Sequence, residues 1–159
     1  MSLAHELGLK KSFEQKDHEG VLNIIFTGIL LSKEGQRIFR PFGITEAYFN
    51  ILMLLKFQSS EGRINQTILG DMLFVKKSNI TGLIDRMEKA GLVTRIPDPF
   101  DRRVNFVEIT SAGSEIFEKA SKVYYERIAE IMYSFSKSDF NDLFRLLESV
   151  RERLNTNGK

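Results

Sequence analysis

Between residues 78 and 89 the apolar positions Ile80, Leu83, Ile84 and Met87 fall at i, i+3, i+4 and i+7, which gathers them into one stripe on an α-helix. Ser78, Gly82, Asp85, Arg86 and Lys89 fall on the opposite face. The pattern predicts an amphipathic helix docked on a core. Gly91 then stands where a left-handed residue ends a helix, and Leu92, Val93 and Ile96 open an extended segment. Proline at 97 and 99 around Asp98 forces a turn. The chain returns from Val104 to Thr110, with Asn105, Val107 and Ile109 on one side and Val104, Phe106 and Glu108 on the other. The product is a β-hairpin with a rigid, charged tip of Asp98, Phe100, Asp101, Arg102 and Arg103.

The other segments read as helices. Asn65 is placed to cap a short one, whose Ile68, Leu69, Met72 and Leu73 are expected to pack on the stripe of the next, with Gly70 permitting close approach. From about Asp17 to Phe39 the apolar set is too broad for one narrow stripe, so this helix is expected to be covered on more than one side. Thr45 caps the following helix, where Ile44 and Phe49 have the spacing of a hydrophobic staple. Thr110 caps a long helix reaching about Tyr133. Ser136 caps the last one, with Phe135 and Phe140 again at staple spacing and Leu143, Phe144, Leu147, Val150 and Leu154 as its stripe. The fold class expected is mainly α with a small β-hairpin wing.

At 159 residues the chain has single-domain length, and 42% hydrophobic content with 13 Phe can fill a core. Its net charge of +2 is too small for the whole surface to act as a polycation. Residues 63–103 hold eight Lys or Arg against five Asp or Glu, so the positive excess is concentrated around the amphipathic helix and the hairpin. The absence of cysteine excludes disulfides, cysteine metal sites and thiol redox sensing. The only histidines, His5 and His18, lie near the N-terminus, which speaks against a metal cluster or a proton-transfer site. No cofactor, metal or enzymatic activity is expected. Neither a signal peptide nor a transmembrane run is visible, and a cytoplasmic location is the expectation.

The helix at 78–89 has a small, polar outer face in its first two turns. Gly82 within it costs about 1 kcal/mol relative to alanine without any local reason. Such a face can enter a groove closely. Short helix, turn, second helix and hairpin make a winged helix-turn-helix, in which the second helix reads the major groove of double-stranded DNA and the wing reaches the neighbouring minor groove.

The sequence resembles the MarR (multiple antibiotic resistance regulator) transcription factors. FGIT at 42–45, SNITGLIDRMEKAGLVTR at 78–95, PDPFDRR at 97–103 and ITSAG at 109–113 carry the resemblance. It implies a single MarR-like chain over 1–159, with 44–110 as the winged helix-turn-helix and 17–43 and 111–155 as a terminal helical dimerisation layer. It also implies a homodimer that binds a pseudo-palindromic operator, as a ligand-responsive repressor. Ser78, Asn79, Thr81 and Gly82 are expected to face base edges, and Lys76, Lys77 and Arg86 to meet phosphates. In the family's wing pattern an aspartate two residues before an arginine orients it for the minor groove; here these are Asp101 and Arg103, with Arg102 assisting. Two positions depart from the family's pattern: Phe74 stands where the turn usually has glycine, and Lys76 where a serine usually caps the reading helix. A small aromatic or phenolic effector between the helical layer and the winged helix would draw on Phe26, Leu30, Tyr48, Phe49, Met53 and Tyr124. The alternative from another class is a winged-helix dimer serving as a protein-interaction adaptor, against which the basic wing argues.

Overall fold

The computed structural model describes residues 2–59, 62–73, 77–101 and 104–156, and the side chains of Lys77 and Ser78 lie outside the description. Among these residues the order is α1 (Leu3–Glu6), α2 (Lys16–Phe39), a 3-10 turn (Arg40–Phe42), α3 (Glu46–Phe57), β1 (Arg63–Asn65), α4 (Gln66–Met72), α5 (Lys77–Lys89), β2 (Val93–Pro97), β3 (Asn105–Ile109), α6 (Ser111–Ile131) and α7 (Lys137–Thr156). The chain is mainly helical with a small antiparallel sheet, as the periodicities predict. It forms two compact units, residues 1–122 and 123–159.

Local chemistry sets the element boundaries. The Thr45 hydroxyl accepts from the Tyr48 N–H at 3.2 Å, and Asn65 Oδ1 accepts from Thr67 N–H at 2.8 Å, so both helix starts satisfy otherwise orphaned donors. Helix α5 ends in a Schellman arrangement: Gly91 has φ +70°, its N–H donates to the Glu88 carbonyl, and the Leu92 N–H reaches back to Met87. A side chain at 91 would strain that turn.

In the first unit the core is built by α3, α5 and the sheet. Phe49, Ile51, Leu52, Leu55, Leu69, Ile80, Ile84, Met87, Val93 and Val107 are all fully buried. Burying each large apolar side chain is worth about 1.5–3 kcal/mol, so the α5 stripe alone anchors that helix firmly. Phe39 of α2 stacks on Phe49 at 4.4 Å between ring centroids, and Phe49 stacks on Phe117 of α6 at 5.3 Å. Lys56 Nζ, on α3, meets the Glu118 carboxylate of α6 at 3.0 Å and the Ser114 hydroxyl at 2.8 Å. That lysine holds the Glu118 carboxyl below the usual glutamate range.

The sheet has the order β1-β3-β2 with antiparallel pairing throughout. Its registers set Ile64 opposite Val107 and Arg95 opposite Val107, so β3 is the central strand. The hairpin partner β2 was expected from the alternation, whereas β1 was not. Its three residues carry a single apolar side chain, Ile64, too few to display a period, and it exists because β3 offers a free edge. Helix α4 also differs from expectation. Leu69 is fully buried as predicted, but Ile68 is 54% exposed and Met72 40% exposed, because a seven-residue helix has room to bury only one narrow side.

At the junction of wing and α6, Thr110 works in both directions. Its backbone N–H donates to the Leu92 carbonyl at 3.1 Å, its hydroxyl donates to the Gly91 carbonyl at 2.7 Å, and that oxygen accepts from the Gly113 N–H at 3.0 Å. A Cβ on Gly113 would lie 2.1 Å from the Leu92 carbonyl oxygen, so only glycine fits.

In the second unit the Ser136 hydroxyl accepts from Asp139 N–H at 3.3 Å while Asp139 accepts from Ser136 N–H at 2.8 Å, a reciprocal capping box. The expected staple is present as an edge-to-face contact of Phe135 and Phe140 at 5.8 Å. The two Ser136 hydrogen bonds hold the Asp139 carboxyl below its ordinary range. Helix α7 has no buried residue of its own, and Phe144, Leu146, Val150 and Leu154 stand exposed. In the first unit the α2 residues Val21, Ile24, Ile25, Ile29, Leu30 and Leu31 are likewise exposed. Ile38 and Phe39 at the end of α2 are buried, whereas the apolar residues of its first two thirds are largely exposed.

Candidate nucleic-acid interface

Helix α5 sits with Ile80, Ile84 and Met87 in the core, and this fixes which face looks outward. Asn79, Thr81, Asp85, Arg86 and Lys89 are exposed, and Gly82 lies half-buried among them. A Cβ at Gly82 would meet only the Arg86 Nη1 atom, at 3.5 Å, an ordinary contact with the far end of a flexible side chain. Among the described residues nothing therefore requires glycine at this position.

Helix α4 and the wing are tied to α5 through one side chain. Arg95 of β2 reaches Glu88 Oε2 with Nη1 at 2.7 Å, and Asp85 Oδ1 with Nη2 at 2.5 Å. Its Nη2 also donates to the Thr81 carbonyl at 3.3 Å, and its Nε donates to Gln66 Oε1 at 3.1 Å. Gln66, the first residue of α4, in turn donates from Nε2 to the Thr81 hydroxyl at 3.0 Å. The Arg95 backbone N–H completes the set by donating to Glu88 Oε1 at 3.0 Å. Sequence reading missed Arg95 and Gln66. The available signal was the i, i+4, i+7 spacing of Thr81, Asp85 and Glu88, which puts three acceptor-bearing positions on one side of α5.

The wing tip is stiffened by its own turn. Asp98 Oδ1 accepts from the Phe100 N–H at 2.7 Å and the Asp101 N–H at 2.9 Å, and the Val104 N–H donates to the Asp101 carbonyl at 2.9 Å. Phe100 projects 97% exposed from this turn. Asp101 is thereby fixed at the base of the tip. Arg102 and Arg103, expected at the minor groove, lie outside the described residues, as do Lys76 and Phe74. Of Lys77 and Ser78 only the backbone is described, in the first turn of α5.

The residues expected around an effector differ in burial. Phe49 is buried in the aromatic stack, Phe26, Tyr48 and Met53 are half-buried, and Leu30 is 60% exposed. Tyr124, in the second unit, is half-buried beside Tyr125 with rings 5.5 Å apart. A cavity opens elsewhere, lined by Ile64, Ile68, Met72 and Phe106, with the Arg63 guanidinium 4.9 Å above the Phe106 ring. None of the six expected residues lines it.

Among the described residues no group of three or more His, Cys, Asp or Glu is placed to hold a metal ion. Nor is any described helix long and apolar enough to cross a membrane.

The MarR family profile matches residues 44–104, which run from just before α3 to the return of the wing. The transcriptional repressor YetL of Bacillus subtilis is 31% identical over 112 residues, 70% of this chain and 66% of that protein. The transcriptional regulator PecS of Dickeya dadantii is 25% identical over 129 residues, 81% of this chain and 78% of its own length. In three dimensions the chain resembles AbsC, a MarR family transcriptional regulator from Streptomyces coelicolor, with a TM-score of 0.81 and 25% identity over 92% of this chain and 99% of AbsC. The family profile covers the segment in which Arg95 joins α4, α5 and β2. The chain belongs to the MarR family of DNA-binding transcriptional regulators, and it is not an enzyme.

Proposed function

We propose that the protein is a repressor that binds a pseudo-palindromic operator as a homodimer. The observation that carries the reading is the outer face of α5. It presents the exposed Asn79 and Thr81 beside Gly82, a glycine that no described neighbour requires, and is followed in the sequence by a basic wing whose turn is held at Asp98. In this reading Ser78, Asn79, Thr81 and Gly82 approach base edges in the major groove, Lys76, Lys77 and Arg86 hold phosphates, and Arg103, with Arg102 and Asp101, serves the minor groove. Repression is supported by the likeness to YetL, a transcriptional repressor.

Dimerisation is supported by the uncovered apolar side chains. Six of them stand on α2 and four on α7, and each is worth roughly 1 kcal/mol or more if a second copy covers what remains exposed. Segments 17–43 and 111–155 supply this layer, and 44–110 reads DNA. An aromatic or phenolic effector is assigned to the vicinity of the half-buried Phe26, Tyr48 and Met53. Phe49, buried and stacked with Phe39 and Phe117, stands behind them.

The test is selection of bound duplexes from a random pool, followed by titration of the winning sequence beside light scattering. A dimer on two half-sites, one helical turn or a small multiple apart, is expected, with affinity lost when five base pairs are inserted between them. Changing Leu147 and Val150 together to Asp should give monomers or unfolded chains and weaker binding. A wild-type monomer, or full affinity for the rotated half-sites, would refute the dimeric reading. Failure to select any duplex, with no salt-dependent retention on heparin, would favour a protein-interaction adaptor instead.

A further inference from the structure

We infer that Arg95 is a positioning residue for operator reading: it fixes the reading helix α5, the preceding helix α4 and the wing strand β2 in one relative geometry without itself touching DNA. The inference rests on the reading of α5 and the wing as the DNA interface.

A guanidinium has five N–H donors in a rigid plane. Four acceptors on two helices engage those of Arg95: Glu88 Oε2 at 2.7 Å, Asp85 Oδ1 at 2.5 Å, the Thr81 carbonyl at 3.3 Å and Gln66 Oε1 at 3.1 Å. All three of its nitrogens thus engage acceptors of the protein, and the side chain is only 20% exposed. The network closes on itself, since Gln66 also donates to the Thr81 hydroxyl at 3.0 Å. Residues from the start of α4, three levels of α5 and the middle of β2 therefore share one planar group. Helix angle and wing position become a single variable, and operator reading needs both at once, because α5 and the wing tip enter neighbouring grooves.

Lysine cannot replace this fork. It carries one point charge and one nitrogen, so it can neutralise Asp85 or Glu88 but cannot bridge them to Gln66 and Thr81. The partners themselves are half in solvent, with Asp85 51% and Glu88 39% exposed, so each ion pair separately adds little to global stability. What the arginine controls is geometry, and the loss should be felt in sequence discrimination more than in folding.

The experiment uses the full chain, the operator selected above and a scrambled duplex of equal length, titrated over a range of salt concentrations. Arg95→Met and Arg95→Lys should each lose about tenfold or more in operator affinity, the scale of one good base contact. In Arg95→Lys, which keeps the charge beside Asp85 and Glu88, affinity for the scrambled duplex should stay within about twofold, and the slope of log affinity against log salt should be unchanged, because no phosphate contact is removed. Gln66→Ala, which removes one bridge and leaves the charges intact, should lower the operator-to-scrambled ratio in the same direction. It keeps the proposal testable if an Arg95 variant fails to fold.

Full affinity in Arg95→Lys would overturn the proposal in favour of simple charge neutralisation. A salt slope reduced by about one would overturn it in favour of a direct phosphate contact. Equal losses on operator and scrambled DNA, or no loss in Gln66→Ala, would also overturn it. If the wild-type chain binds no duplex, the DNA-binding reading fails, which is a different result from wild-type binding with indifferent variants.

Discussion

Gly82 separates what the fold needs from what the DNA interface needs. Replacing it by alanine or leucine should strengthen α5, because glycine in a helix interior costs about 1 kcal/mol relative to alanine and leucine recovers most of that. Among the described residues the new Cβ would meet only Arg86 Nη1 at 3.5 Å, and that side chain is exposed. A gain of this size should raise the melting temperature by about 2–4 °C for a chain of this length, measured at one protein concentration because a dimer melts by mass action. Operator binding should move the other way. Leucine at 82 occupies the space between helix and groove floor, so binding should fall to the level of random DNA, a loss of about 10³-fold or more. The assay pairs thermal melting with fluorescence anisotropy on operator and scrambled duplex at fixed salt. A folded Gly82→Leu protein with wild-type operator affinity would refute close approach at this position. A destabilised one would show that the protein itself constrains the site.

Three further outcomes follow from named contacts. Arg103→Ala should weaken operator binding by about 1–3 kcal/mol and reduce the salt slope by about one without changing the melting temperature; unchanged affinity would sink the wing assignment. Gly113→Ala should destabilise the protein by about 3 kcal/mol, the upper end of overpacking penalties, since its Cβ would lie 2.1 Å from the Leu92 carbonyl oxygen; a melting temperature equal to wild type would contradict that geometry. The carboxyl of Glu118 is held below its ordinary range first by the Lys56 hydrogen bond and charge, so its stabilising contribution is complete above the ordinary glutamate pKa and disappears as pH falls through the lowered value. The melting-temperature gap between wild type and Lys56→Met should therefore narrow on acidification, and a gap constant down to strongly acidic pH would rule the contact out.

The parts of this fold that could be read from the sequence are those fixed by local chemistry. Thr45, Asn65, Thr110 and Ser136 declare helix starts because each oxygen serves N–H groups two or three residues away. Gly91 declares a helix end because its backbone conformation excludes other side chains. Helix α5 is legible because thirteen residues display the period almost four times over. Helix α4, with seven, does not, and helical spacing could not tell that Leu69 faces inward while Ile68 and Met72 face out. Strand β1 is specified by the vacant edge of β3, a partner more than forty residues away, which no local window contains. The same limit governs the effector assignment: Leu30 and Phe49 obey similar periodicities, yet one lies on a bare face and the other in an aromatic stack.

Charge at the interface follows from geometry more than from counting. Residues 63–103 carry eight basic and five acidic side chains, a surplus that suggests only weak attraction to phosphates. Two of the five acids, Asp85 and Glu88, project from the reading helix itself and would repel DNA if left alone. Arg95 bridges both of them, with its donors engaged by protein acceptors. The single guanidinium offsets one of the two negative charges, so the opposition that Arg86 and Lys89 on α5 meet from those carboxylates is reduced by half. A modest surplus then suffices. Steering comes from the basic residues that remain, and discrimination comes from how rigidly α5 and the wing are held together, which makes the Arg95 network a determinant of specificity even though it adds no contact to the DNA.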